Sequence, residues 1–131
     1  MKIKKCGLDD VLDLQKIYRQ TFYETFSEQN SEENMRKFLD EAYSGQKLKS
    51  ELEDKKSETF LAVENQKTLG ALKINTGNAE TESGFQNSLE IQRIYVLKEA
   101  KGLGIGTAFM NLAEKKAREF GVSFIWLGVW E

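Results

Sequence analysis

The run Lys101-Gly102-Leu103-Gly104-Ile105-Gly106 carries the spacing in this chain that could do chemistry. It follows the apolar, β-branched stretch 89–96 and opens an amphipathic segment over 104–120, in which Ile105, Ala108, Phe109, Leu112, Ala113, Ala117 and Phe120 recur at helical spacing. A strand, a glycine turn and a helix start in that order make an anion site. The first-turn N–H groups have no partner within the helix, the helix dipole is positive there, and glycines let phosphate oxygens reach the backbone. A Walker loop would need Lys-Ser/Thr after the last glycine, and Gly106 is followed by Thr107-Ala108. A dinucleotide fold would need G-x-G-x-x-G and a carboxylate about 20 residues later, and the next strand, Phe124-Ile125-Trp126-Leu127, has none. A glycine turn without a ligand is the alternative to a phosphate-bearing one.

The elements that must position this loop follow from apolar periodicity. Residues 3–6 read as a first strand, and 8–26 as a helix with Val11, Leu12, Leu14, Ile17, Tyr18 and Phe22 on or near one face. A second helix is expected from Ser31, with Asn30 and Glu33 as a capping box, Met35, Phe38, Leu39 and Ala42 as its stripe and Ser44-Gly45 as its end. A short charged helix over 46–57, anchored by Leu48 and Leu52, precedes strands at 59–63 and 69–74 that read as an antiparallel hairpin. The polar, glycine-containing stretch 76–87 reads as a mobile loop. Strict alternation along 89–96 puts Glu90, Gln92, Ile94 and Val96 on one face and Leu89, Ile91, Arg93 and Tyr95 on the other. Phe22 and Phe26, four residues apart, read as helix core.

This order of elements resembles the acetyl-CoA-binding core of the GCN5-related N-acetyltransferases, whose loop is usually Q/R-x-x-G-x-G/A, with Lys101 standing where Gln or Arg is usual. The stretches Thr21-Phe22-Tyr23-Glu24-Thr25-Phe26, Glu33-Asn34-Met35, Arg93-Ile94-Tyr95 and Trp126-Leu127-Gly128-Val129-Trp130-Glu131 resemble the PaiA branch of bacterial polyamine N-acetyltransferases. The resemblance implies an α/β (α+β) fold with a mixed, mainly antiparallel sheet flanked by helices, and direct acetyl transfer to a primary amine such as spermidine or spermine. It implies acetyl-CoA as donor, held by Lys101, Gly102, Leu103, Gly104, Ile105, Gly106 and Thr107, with the backbone of Ile94, Tyr95 and Val96 free for the pantetheine arm. The acceptor would lie near Phe22, Glu24, Phe26 and Glu28 with Gln92 as floor, helix core being the other reading of the two phenylalanines. Relatives often carry glutamate where this chain has Gln92, which leaves Glu90 as candidate base, against the alternative of a solvated or ion-paired strand residue.

Members of the family continue past this strand with a helix and hairpin that supply a CoA-contacting Asn and a Tyr that protonates the thiolate. The expectation is therefore a single domain over 1–131 without that part. Trp126 and Trp130 are then expected to be short of cover, and the last strand to be able to pair with a second copy. A catalytically defective CoA-binding or partner-binding protein is the other functional class.

Composition bounds the rest. The chain has 131 residues, 40% hydrophobic and 31% charged, with a net charge of −2. That suits one globular domain in the cytoplasm and argues against nucleic-acid and membrane partners. With no histidine and one cysteine, imidazole chemistry, most zinc sites and a disulfide framework fall away, so no metal is expected. Cys6 reads as a small core residue.

Overall fold

The computed structural model describes residues 1–128. Strand β1 (Lys2–Lys5) is followed by helices α1 (Val11–Phe26), α2 (Glu32–Ala42) and α3 (Gly45–Glu53). The hairpin β2 (Ser57–Glu64) and β3 (Lys67–Thr76), β4 (Ser88–Val96), α4 (Ile105–Phe120) and β5 (Phe124–Leu127) complete the order. The strands form one sheet in sequence order, antiparallel from β1 to β4 and parallel between β4 and β5, as the mixed and mainly antiparallel expectation required.

Each helix buries most of the stripe expected of it, but Leu12 of α1, Phe38 of α2 and Phe120 of α4 are exposed. Tyr18, Leu14 and Ile17 of α1 are buried on one side of the sheet, where Tyr18 meets Tyr95 of β4, while Phe109 and Ile105 of α4 pack beside Gly70 of β3 on the other. The charged helix is shorter than expected and begins earlier. Ser44 does not end α2 but caps α3, accepting from the Lys47 N–H at 3.2 Å. Likewise Ser31, not Asn30, caps α2 by accepting from the Asn34 N–H, because the Asn30 side chain is turned back to the Phe26 carbonyl at the end of α1.

A β-bulge corrects the alternation along β4. Lys73 of β3 lies opposite Arg93 and Ile74 opposite Ile91, so Gln92 is the extra residue. Glu90, Arg93 and Tyr95 therefore share the face under α1–α3, and Leu89, Ile91, Ile94 and Val96 share the α4 face. Tyr95 is thus on the same face as Glu90, contrary to strict alternation.

The stretch 76–87, expected to be mobile, is pinned to the sheet. Thr81 donates to Glu90 from its backbone N–H at 2.8 Å and from its hydroxyl. Glu80 accepts from Ser88 and from the Trp126 indole, and Phe85 stacks on Trp126 at 4.5 Å. Trp126 is therefore covered from within, which corrects the expectation that it lacks cover; Trp130 and the rest of 129–131 lie outside the described residues.

Candidate active site

Helix α4 starts without a side-chain cap. Its N-cap is Gly104, held at φ 84°, a left-handed conformation that residues with a Cβ rarely adopt. A Cβ built on Gly102, Gly104 or Gly106 would meet nothing within 4 Å, so the space over these glycines is open to a ligand. That space is a cavity of about 620 Å³, lined by Lys101, Gly102, Gly104, Ile105, Gly106 and Thr107, by Ile94, Tyr95 and Val96, and by Thr21 and Thr25 of α1. Uncapped first-turn amides, a lysine and glycines without side chains suit a pyrophosphate. Leu103 is 61% exposed and does not line this cavity.

The neighbouring backbone is also open. The β4–β5 ladder ends at Ile91 and Leu127, whereas β4 runs on to Val96 against β3. On the β5 side, therefore, 94–96 have no strand partner among the described residues. The β3 side of the same segment is close-packed at Gly70, where a Cβ would come within 2.7 Å of the Tyr95 carbonyl oxygen and 3.1 Å of Phe109.

A second cavity, of about 420 Å³, adjoins the first and shares Thr21, Thr25 and Tyr95 with it. Phe22, Phe26, Met35, Phe38 and Tyr43 make its walls, with Asn30 and Asn34 at its edge. Phe22 and Phe26 are half-buried, with Phe26 at 4.6 Å and Phe38 at 4.8 Å from the Phe22 ring, so these rings form a cavity wall as well as helix packing. Sequence reasoning missed Thr21, Thr25, Tyr43 and Phe38 as site residues. Only Phe38 stood in an apolar stripe, and packing against a neighbour and lining a cavity leave the same pattern.

The carboxylates expected at the acceptor do not converge. Glu24 accepts from the Lys98 N–H at 2.9 Å and from Gln20, so it fastens α1 to the turn that precedes the glycine loop. Glu28 is exposed, and Gln92 accepts from Lys73 and Asn75 instead of flooring the cavity. Glu90, 2% exposed, accepts from Asn75 at 2.9 Å and from Thr81, and lines neither cavity. It is not solvated, and it has no direct ion pair among the described residues. Asn75 links it to Lys73, whose pKa burial pulls down against the opposing pull of Glu51 and Glu90.

Arg93 packs against Tyr43, which lines the second cavity. Burial disfavours its charge, but both oxygens of Glu51 accept from it, at 2.7 and 2.9 Å, and hold its pKa above the usual value. Its guanidinium also sits 4.8 Å from the Tyr18 ring centroid and 5.2 Å from that of Tyr43. Cys6 packs against the core, and burial raises its thiol to about 12, so it is no nucleophile at neutral pH. Among the described residues there is no His, Cys, Asp and Glu group that could hold a metal, and no helix is long and apolar enough to cross a membrane.

A mixed five-stranded sheet with an uncapped glycine-loop helix beside a partly unpaired strand makes an α/β core with room for a phosphate-bearing ligand. The acetyltransferase (GNAT) family profile matches residues 11–131, and the chain belongs to that family. It is accordingly an acetyl-CoA-dependent N-acetyltransferase. It is 36% identical over 131 residues to an uncharacterized N-acetyltransferase in the pepI 3′ region of Lactobacillus delbrueckii subsp. lactis, covering 100% of this chain and 76% of that one. The fold is similar to that of PaiA N-acetyltransferase from Thermoplasma acidophilum in complex with coenzyme A, with TM-score 0.83, 23% identity and coverage of 98% and 78%. It is also similar to an aminoglycoside acetyltransferase from an uncultured soil metagenomic sample in complex with sisomicin, with TM-score 0.71, 16% identity and coverage of 99% and 78%.

Proposed function

We propose that the chain acetylates a polyamine such as spermidine or spermine, with the amine in the aromatic cavity and acetyl-CoA along the glycine loop. The observation that carries this reading is the junction of the two cavities at Thr21, Thr25 and Tyr95. An amine seated among aromatic rings there meets the space next to the open edge of β4. Acetyl-CoA, when bound, supplies the acetyl group activated as a thioester. The first-turn amides of Ile105, Gly106 and Thr107, with Lys101, hold its pyrophosphate, and the free edge of 94–96 orients the arm that reaches the acceptor.

The aromatic walls suit methylene spacers and attract a cation through their faces. The charges come from outside the cavity. Glu28, Glu32 and Glu33, all exposed, lie in sequence beside the cavity-lining Phe26, Asn30 and Asn34, and no lysine or arginine occurs between Arg19 and Arg36. This acidic rim replaces the converging carboxylates expected from sequence, and it favours a polycation over a neutral amine. Self-association along β5 is a second reading for that edge, supported by the exposed side chains of Phe124 and Leu127.

An acceptor panel at saturating acetyl-CoA tests the assignment. Spermidine and spermine are expected to give higher kcat/KM than a lysine peptide or an aminoglycoside. Better turnover of the peptide or the aminoglycoside would reject it.

A further inference from the structure

Tyr95 lines both cavities and Tyr43 the aromatic one, and their hydroxyl oxygens are 3.3 Å apart. The other hydroxyls at this junction are turned away. Thr21 donates to the Ile17 carbonyl at 2.8 Å and Thr25 to the Thr21 carbonyl at 2.9 Å, both within α1. The tyrosine pair thus places phenolic oxygens where an otherwise aromatic wall meets the donor cavity. Either phenol can donate to the other, and in both arrangements the Tyr95 oxygen keeps a lone pair for a further N–H.

What holds the two rings is unusual for a core. Tyr18 lies 4.9 Å from Tyr43 and 5.7 Å from Tyr95, edge-on to the latter at 87°, and Arg93 packs against the rings of Tyr18 and Tyr43. Arg93 is 7% exposed and forked onto Glu51. A buried ion pair adds little stability over apolar residues of the same volume, so stability alone gives this pair no reason to be here. A planar, bidentate guanidinium does fix orientation. Arg93 shares this face with Tyr95, two residues along β4 in regular register.

We propose that Glu51 and Arg93 are positioning residues that hold Tyr43 and Tyr95 as a hydroxyl pair at the seam of the two cavities. There the Tyr95 oxygen accepts an N–H of the acceptor amine and aims the amine lone pair at the thioester. No proton leaves either tyrosine. This inference rests on the aromatic cavity being the acceptor site, whichever amine fills it.

The test compares Tyr95→Phe, Tyr43→Phe and the double variant Glu51→Leu/Arg93→Met with the parent. Amine kcat and KM are measured with spermidine at saturating acetyl-CoA, and CoA affinity by calorimetry. Tyr95→Phe is expected to lower amine kcat/KM about five- to tenfold, the worth of one hydrogen bond, with CoA affinity within about twofold of the parent. Tyr43→Phe should lower it less. The double variant removes both charges together and so should stay folded; it should lower amine kcat/KM, with little further loss when Tyr95→Phe is added, because the residues act as one unit. Unchanged amine kcat/KM in Tyr95→Phe, or a parallel loss of CoA affinity, would overturn the proposal. A parent that refuses spermidine but acetylates the lysine peptide or sisomicin would refute the polyamine assignment alone, and the same variants are then compared on that amine.

Discussion

Gly104 concentrates the donor site in one residue. Its φ of 84° suits glycine, and a Cβ there would point into open space, so a side chain meets the ligand before it meets the protein. Gly104→Asp adds backbone strain that aspartate tolerates better than most residues, and it sets a negative charge against a pyrophosphate. Two unit charges about 4 Å apart near a protein surface repel by roughly 4 kcal/mol, before any steric term. CoA affinity is expected to fall at least ~100-fold while the variant remains folded. Calorimetry together with a circular dichroism melt checks this, and equal CoA affinity in variant and parent would remove the phosphate cradle. Glu90 illustrates the opposite case of a charged residue absorbed by structure. Its bonds to Asn75 and Thr81 tie the 76–87 stretch to β4, so its burial reflects a latch between a loop and the sheet.

At the scale of elements, the end of β4 depends on how closely β3 and α4 approach it. Gly70 permits that approach, since a Cβ there would stand 2.7 Å from the Tyr95 carbonyl oxygen, 3.1 Å from Phe109 and 3.4 Å from Ile105. Gly70→Ala therefore has to push backbone, not a flexible side-chain tip. It is expected to cost about 1–3 kcal/mol, as overpacking does, and to weaken CoA binding by displacing 94–96. A lower melting temperature accompanied by lower CoA affinity would bear this out, and a variant matching the parent in both would refute it. The same strand shows what was legible in the sequence. Leu89 and Ile91 keep period two, as do Ile94 and Val96, but the step from Ile91 to Ile94 is three residues, and that break is the signature of the bulge. Read with strict alternation, it hid the shared face of Glu90, Arg93 and Tyr95. The strand, glycine loop and α4 were legible because their signals are local in sequence. The aromatic cavity was legible only at Phe22 and Phe26, since it joins residues of α1 and α2 to Tyr95, and separations of that kind leave no periodic trace. Helix starts were misread for a related reason: Asn30 and Ser31 both suit a cap, and only the three-dimensional path decides which side chain faces which helix end.

For the molecule as a whole, a net charge of −2 conceals an uneven distribution. Glu24, Glu28, Glu32 and Glu33 fall in a stretch without a single cation, and the last three of them are exposed and alternate in sequence with the cavity-lining Phe26, Asn30 and Asn34. Such a field acts over about a Debye length, some 8 Å at physiological salt, so it can draw in a polycation but cannot hold it once salt is raised. The phosphates of acetyl-CoA, bound at a lysine and a helix start, should not depend on the same glutamates. Replacing Glu28, Glu32 and Glu33 by Gln is therefore expected to raise the spermidine KM several-fold at low salt and to flatten its dependence on ionic strength. The acetyl-CoA KM should stay level or fall. Glu32 and Glu33 also lie in the first turn of α2, where each negative charge contributes about 0.3–1 kcal/mol with the helix dipole, so a small drop in melting temperature should accompany the kinetic change without explaining it. Steady-state kinetics from low to high salt decide the matter. If the triple variant keeps the parent's salt dependence for spermidine, the acidic rim does not guide the acceptor, and the polycation reading loses its electrostatic support.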